Sequence, residues 1–140
     1  MGTSDPRETK TRYRAVMLAM RLHQLADKLE KVCASLDEHI HGAPSPSGVT
    51  RVRADLIRQL LCPERFSPPT APVTIRIDSA LERLYPAGVD EYPSEPPTRE
   101  DFDAAVNSLL RFGLAAVANG SLVLGPEAES ARDGLKAAVA

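Results

Sequence analysis

The sequence predicts a mainly α fold with a small antiparallel β-sheet, in which a long N-terminal helix precedes a compact domain. Three observations carry this. Between Thr11 and His41 there is no Pro or Gly, and strong helix formers dominate. Val73-Thr-Ile-Arg-Ile77 alternates apolar and polar residues as a strand does. Two short apolar runs, 114–118 and 121–124, are joined by Asn119-Gly120, the preferred dipeptide of a type I′ hairpin turn.

The first helix carries a heptad pattern. Ala15, Leu18, Leu22, Leu25, Leu29, Val32 and Leu36 follow one another at alternating three- and four-residue steps, the spacing of a coiled-coil or bundle seam. Ala19, Ala26, Cys33 and Ile40 widen the stripe on one side, and Arg14, Arg21 and Lys28 line the other. Two readings follow: self-association through Leu18, Leu22, Leu25, Leu29, Val32 and Leu36, or packing of the helix on its own domain. Self-association is favoured because about thirty residues at ~1.5 Å each exceed the width of a small domain.

Gly42-Ala-Pro-Ser-Pro-Ser-Gly48 ends this helix. A second helix is expected from about Thr50 to Leu61, with Val52, Leu56 and Leu60 on one face, Ile57 and Leu61 beside them, Arg51, Arg53 and Arg58 on the other, and Pro63 as its stop. Residues 63–97 hold eight of the twelve prolines. Within them lie the strand 73–77 and a short helix from Asp78, a good N-cap, to Tyr85. Pro86 to Pro97, with Asp90, Glu91 and Glu95, is expected to be an exposed acidic loop. Thr98-Arg-Glu-Asp101 has the form of a capping box and opens a helix buried through Phe102, Val106, Leu109 and Leu110. Gly113 ends it, the hairpin follows, and Pro126 with Glu127 and Glu129 starts a last helix. The expected organisation is a helical region 1–42 and a domain 49–140.

Composition narrows the function classes. With 43% hydrophobic and 26% charged residues, the 140-residue chain has the balance of a globular protein. There is no Trp and only three Phe and three Tyr, so platforms for stacking single-stranded bases are scarce. Cys33 and Cys62 are too few for a disulfide framework and are expected to be reduced and mostly buried. The apolar run Ala15–Met20 is cut by Arg21, short of a signal peptide or membrane span, and Pro6 stands where a myristoylation motif needs Ser or Thr, so a cytoplasmic location is expected. The net charge of −2 hides an asymmetry: residues 1–65 carry eleven Lys/Arg against eight Asp/Glu, and residues 66–140 six against eleven.

From Thr50 to Leu124 the order is helix, strand, short helix, helix, hairpin. With the run Phe102-Asp-Ala-Ala-Val-Asn-Ser-Leu-Leu-Arg-Phe-Gly-Leu114, the Asn-Gly turn and Leu122-Val-Leu124, this resembles the winged-helix superfamily over a little over half the chain. The connection 86–97 is longer than the tight turn usual there. The resemblance implies a recognition helix from Arg99 to Arg111 and a wing at 114–124. DNA binding would then use Asn107 and Arg111 on base edges, with Arg99, Arg51, Arg53 and Arg58 in support. Arg12 and Arg14 are further basic candidates in the first half.

Electrostatics oppose that use. Glu100, Asp101 and Asp103 crowd the helix start and the wing tip 118–121 has no cation, whereas DNA affinity depends on neutralising phosphates. The expected function is therefore a non-catalytic regulatory or adaptor subunit acting through protein contacts, with Glu91, Glu95, Glu100, Asp101 and Asp103 facing a basic surface or water. A dimeric DNA-binding regulator is the alternative. No phosphate loop, nucleophile elbow or zinc-protease motif is present, and neither a cofactor nor a catalytic residue is expected. Cys33, Asp37 and His41 at four-residue spacing, with His39 nearby, could face a metal together, but no second segment completes such a site, so no metal is expected.

Overall fold

The computed structural model describes residues 6–62, 73–86 and 96–139. The order is α1 (Pro6–His41), α2 (Ser47–Leu61), β1 (Ile75–Arg76), α3 (Ile77–Leu84), α4 (Arg99–Arg111), β2 (Ala115–Ala118), β3 (Ser121–Leu124) and α5 (Pro126–Val139). The strands form one antiparallel sheet in the order β1-β3-β2. Most of the acidic segment 86–97 lies outside the described residues.

At 36 residues α1 is about 54 Å long, and it ends where Gly42 takes a left-handed φ of 74° and donates its amide to the Glu38 carbonyl. Its buried residues are Ala19, Leu22, Ala26, Cys33 and Asp37, spaced as one helical face. Three of the five are small, so neighbouring helices approach its backbone closely. α2 packs between α1 and α4, and α5 lies along α1. The interior comprises Val52 and Leu56 of α2, Phe102 and Leu109 of α4 and Leu122 of β3, each fully buried, and Leu22, Ala26 and Cys33 of α1 belong to the same core cluster. Burying a side chain such as Phe102 or Leu56 contributes about 2–3 kcal/mol, so α1 shares the core of the remainder instead of standing apart from it.

α2 begins at Ser47, three residues before the expected start, with Pro46 ahead of it. α4 starts with the expected capping box: Asp101 N–H donates to Thr98 Oγ1 and Thr98 N–H donates to the Asp101 carboxylate, both at 3.1 Å. Its buried face is Phe102, Ala105, Val106, Ser108 and Leu109. The predicted strand 73–77 contracts to two residues, because Ile77 already begins α3 while its amide donates to the Gly120 carbonyl. Arg76, not Asp78, occupies the N-cap position, and Asp78 sits in the first turn.

The hairpin turns at Asn119 and Gly120, both at positive φ (53° and 75°), as a type I′ turn requires. Its base is held by close backbone approach. Gly125 N–H donates to the Leu114 carbonyl at 2.9 Å, and a Cβ on Gly125 would collide with the Gly113 carbonyl and the Ala115 amide. Gly113, at φ 71°, ends α4 and accepts the Glu127 amide, joining α4, β2 and α5 at one corner.

Candidate interaction surface

The most highly charged part of the interior is built on Arg53. Its side chain is 0% exposed, so the expectation that it shares a solvated face with Arg51 and Arg58 is corrected. Arg53 lies one residue after Val52 and three before Leu56, on the inward side of α2, and only a counter-charge makes that position tolerable. Two carboxylates of α1 supply it. Arg53 Nε donates to Glu30 Oε1 at 3.2 Å and Nη1 to Asp37 Oδ2 at 2.9 Å. Nη1 also lies 3.2 Å from Ser108 Oγ, whose hydroxyl donates to Asp37 and sits 3.0 Å from the Cys33 sulfur. Nη2 is buried without a hydrogen-bond partner among the described residues.

Asp37 also accepts from Arg111 of α4 at 3.1 Å, and His41 approaches both residues, at 4.0 Å from Asp37 and 3.4 Å from Arg111. Cys33, Asp37 and His41 therefore do gather along one face of α1, but two arginines hold their carboxylate. Among the described residues no group of three or more His, Cys, Asp and Glu is arranged to hold a metal ion. Burial pushes the Cys33 thiol up, with the Ser108 hydrogen bond and Arg53 opposing, so it stays protonated near neutral pH.

Arg51 stacks over the Tyr85 ring at 4.7 Å, and Tyr85 donates its hydroxyl to Asp55 at 2.5 Å. Burial, followed by the hydrogen bond and charge of Asp55, raises the Tyr85 pKa. Arg58 pairs with Asp27 at 3.3 Å and Asp55 at 3.8 Å. Arg99 pairs with Asp103 at 3.3 Å, lies over Phe102 and reaches the Ile77 carbonyl. Arg51, Arg53, Arg58, Arg99 and Arg111 thus each have a partner within the chain, whereas Arg12 and Arg14 are exposed with no ion pair among the described residues. Asn107 sits exposed in the middle of α4. Around it the outer face of α4 presents Glu100, Asp103 and Ala104, and the hairpin tip presents Val117, Ala118, Asn119 and Gly120, with Val117 51% exposed. Of the acidic residues expected on this side, Asp101 is taken by the capping box, Asp103 by Arg99, and Glu91 and Glu95 lie outside the described residues.

No family model matches this chain, and neither a curated protein nor a solved structure matches it.

The heptad seam divides. Leu22 is buried inside the domain, Leu18, Leu25 and Leu29 are partly covered by it, and Val32 and Leu36 are 49% and 42% exposed, as is Ile40 beside them at 53%. Packing of α1 on its own domain thus uses the middle of the seam predicted for self-association, and the C-terminal end stays open. No helix among the described residues is long and apolar enough to cross a membrane.

Nothing in the local pattern of α2 marked Arg53 as anything but the edge of a basic face. The available signal was position: Arg53 falls four residues after Val49 and four before Ile57, both of them buried.

Proposed function

We propose that this chain is a cytoplasmic, non-catalytic adaptor whose winged-helix-like domain meets a protein partner through the outer face of α4 and the hairpin tip. One observation carries the reading. Of the cations around the recognition helix and α2, Arg53 and Arg111 are paired with Asp37, Arg58 with Asp27 and Asp55, and Arg99 with Asp103, and Arg51 lies over the Tyr85 ring, which leaves Arg12 and Arg14 of α1 as the exposed basic candidates without an ion pair among the described residues. The surface left at α4 and the hairpin combines Glu100 with Ala104, Val117 and Ala118, a mixture suited to protein and short of free cations for phosphates. The non-catalytic reading is supported by burial: Ser108 and Cys33 are 3% and 1% exposed, out of reach of a substrate.

A DNA-binding regulator of winged-helix type remains the second reading, favoured by the exposed Asn107 at the centre of α4. A titration of mixed-sequence duplex DNA at two salt concentrations separates the two. The adaptor reading expects weak binding that Asn107→Ala and Arg111→Ala leave unchanged. Tight, steeply salt-dependent binding abolished by those substitutions would overturn it. In an affinity pull-down from an extract of the native host, one stoichiometric protein should co-purify with the wild type and be lost on Val117→Asp or Ala104→Glu.

A further inference from the structure

Six of the charges of α1 are sorted by side, while Lys31 and Glu38 stand exposed elsewhere on the helix. Its acids Asp27, Glu30 and Asp37 turn toward α2 and α4, where Arg58, Arg53 and Arg111 engage them. Its cations Arg14, Arg21 and Lys28 recur every seven residues, are exposed, and have no ion pair among the described residues. Each precedes an apolar residue of the seam by four positions: Arg14 before Leu18, Arg21 before Leu25, and Lys28 before Val32. Residues four apart are neighbours on a helix, so this row runs beside the partly covered Leu18 and Leu25 and, at Lys28, beside the open strip of Val32, Leu36 and Ile40.

We propose that this strip is a docking site for an acidic amphipathic helix of another protein. Apolar side chains of such a helix would cover Leu25, Leu29, Val32, Leu36 and Ile40, a span of about four turns, while its flanking carboxylates meet Arg21 and Lys28. Charge selects this occupant over a second copy of the chain. In an antiparallel pair of α1 helices the cationic rows would face each other, and in a parallel pair each row would face Ala19, Ala26, Cys33 and Ile40, where no acid stands. Of the acids of α1, Asp27, Glu30 and Asp37 are paired with arginines of α2 and α4, and the exposed Glu38 follows Leu36 by two positions, away from the flanks of the seam. The site lies on α1 and does not depend on the use made of α4.

The test uses the full chain and two synthetic amphipathic peptides of about three heptads, with the same Leu seam and either Glu or Lys at the flanking positions. Fluorescence anisotropy at low salt should show the Glu peptide binding and the Lys peptide at least tenfold weaker. Arg21→Glu with Lys28→Glu should reverse the preference, and Leu36→Asp should remove binding while the circular dichroism spectrum and melting temperature stay at wild-type values. If Leu36→Asp disturbs folding, Ile40→Glu serves the same purpose, since Ile40 is 53% exposed. Equal binding of both peptides, or none, would overturn the proposal. So would sedimentation showing a concentration-dependent dimer that Leu36→Asp dissolves, which would assign the strip to a second copy, and so would binding of duplex DNA lost on charge reversal but indifferent to Leu36→Asp. These variants leave α4 and the hairpin untouched, so their outcome is separate from that of Asn107→Ala or Val117→Asp.

Discussion

Substituting Arg53 by Met tests the buried charge network directly, because Met keeps an apolar stem of similar length and removes only the guanidinium. Breaking a buried pair from one side costs about 3–5 kcal/mol, since the remaining charge is left desolvated. Here Asp37 retains Arg111 at 3.1 Å and the Ser108 hydroxyl, and the Glu30 side chain is 13% exposed and can rehydrate. Both features place the loss at the lower end, about 3 kcal/mol. A chain of 140 residues has an unfolding entropy of roughly 0.3 kcal/mol/K, so the melting temperature should fall by about 10 °C. Adding Asp37→Leu removes the buried carboxylate that has lost one of its two arginines, and the freed Arg111, with a side chain 42% exposed, can turn to water. The double variant should recover about 1–2 kcal/mol relative to Arg53→Met alone. Thermal and urea unfolding followed by circular dichroism give both numbers. A melting temperature for Arg53→Met within about 3 °C of wild type, or a double variant whose loss is the sum of two large single losses, would refute the reasoning.

Three further outcomes are expected. Gly125→Ala should cost about 2 kcal/mol or more, because its Cβ meets backbone atoms of Gly113 and Ala115 that cannot yield, whereas Gly120→Ala, which is strained in φ but opens into empty space, should cost about 1 kcal/mol; thermal melts showing the reverse ranking would contradict the close packing of the hairpin base. Burial pushes the Cys62 thiol from 9.0 to about 11, with Arg58 opposing and Asp27 adding, so the thiol should alkylate far more slowly in the folded chain than in urea at about pH 8. A pKa raised on folding contributes stability below the unfolded value that disappears as pH rises through the folded one. The urea midpoint should therefore decline between pH 9.0 and about 11, and Cys62→Ala should soften that decline.

Those features that depend on local chemistry were legible in the sequence. The Asn119-Gly120 turn, the capping box at Thr98 and Asp101, the stop at Gly113 and the buried line Phe102–Val106–Leu109 each follow from backbone preference or from helical spacing, and each is found. The strand 73–77 was legible as alternation but not in its length, because Ile77 serves both the sheet and the start of α3. The heptad seam was legible as an apolar stripe, but the sequence does not state what covers it, and α2, α4 and α5 take the middle of it. Least legible was the Arg53 network. Its members come from α1, α2 and α4, up to 75 residues apart between Cys33 and Ser108, and each has an ordinary surface reading by itself. Asp37 belongs to a motif that also suits a metal, Ser108 to the middle of an amphipathic helix, and Arg53 to a basic face. Their common meaning exists only once the three helices are packed.

The Arg53 network also bears on modularity. Pro-rich punctuation between His41 and Ser47 invites treating the first helix as an arm that can be cut off or exchanged. Yet Glu30 and Asp37, which neutralise Arg53, are carried on that arm, while Arg53 is carried on the part that would be left behind. A chain lacking residues 1–42 would keep an uncompensated cation in its interior, and a chimera would inherit the fold only if the acids at 30 and 37 travelled with the arginine. The unit that can be moved intact is therefore set by charge neutrality inside the core, and it begins within the first helix and not after it.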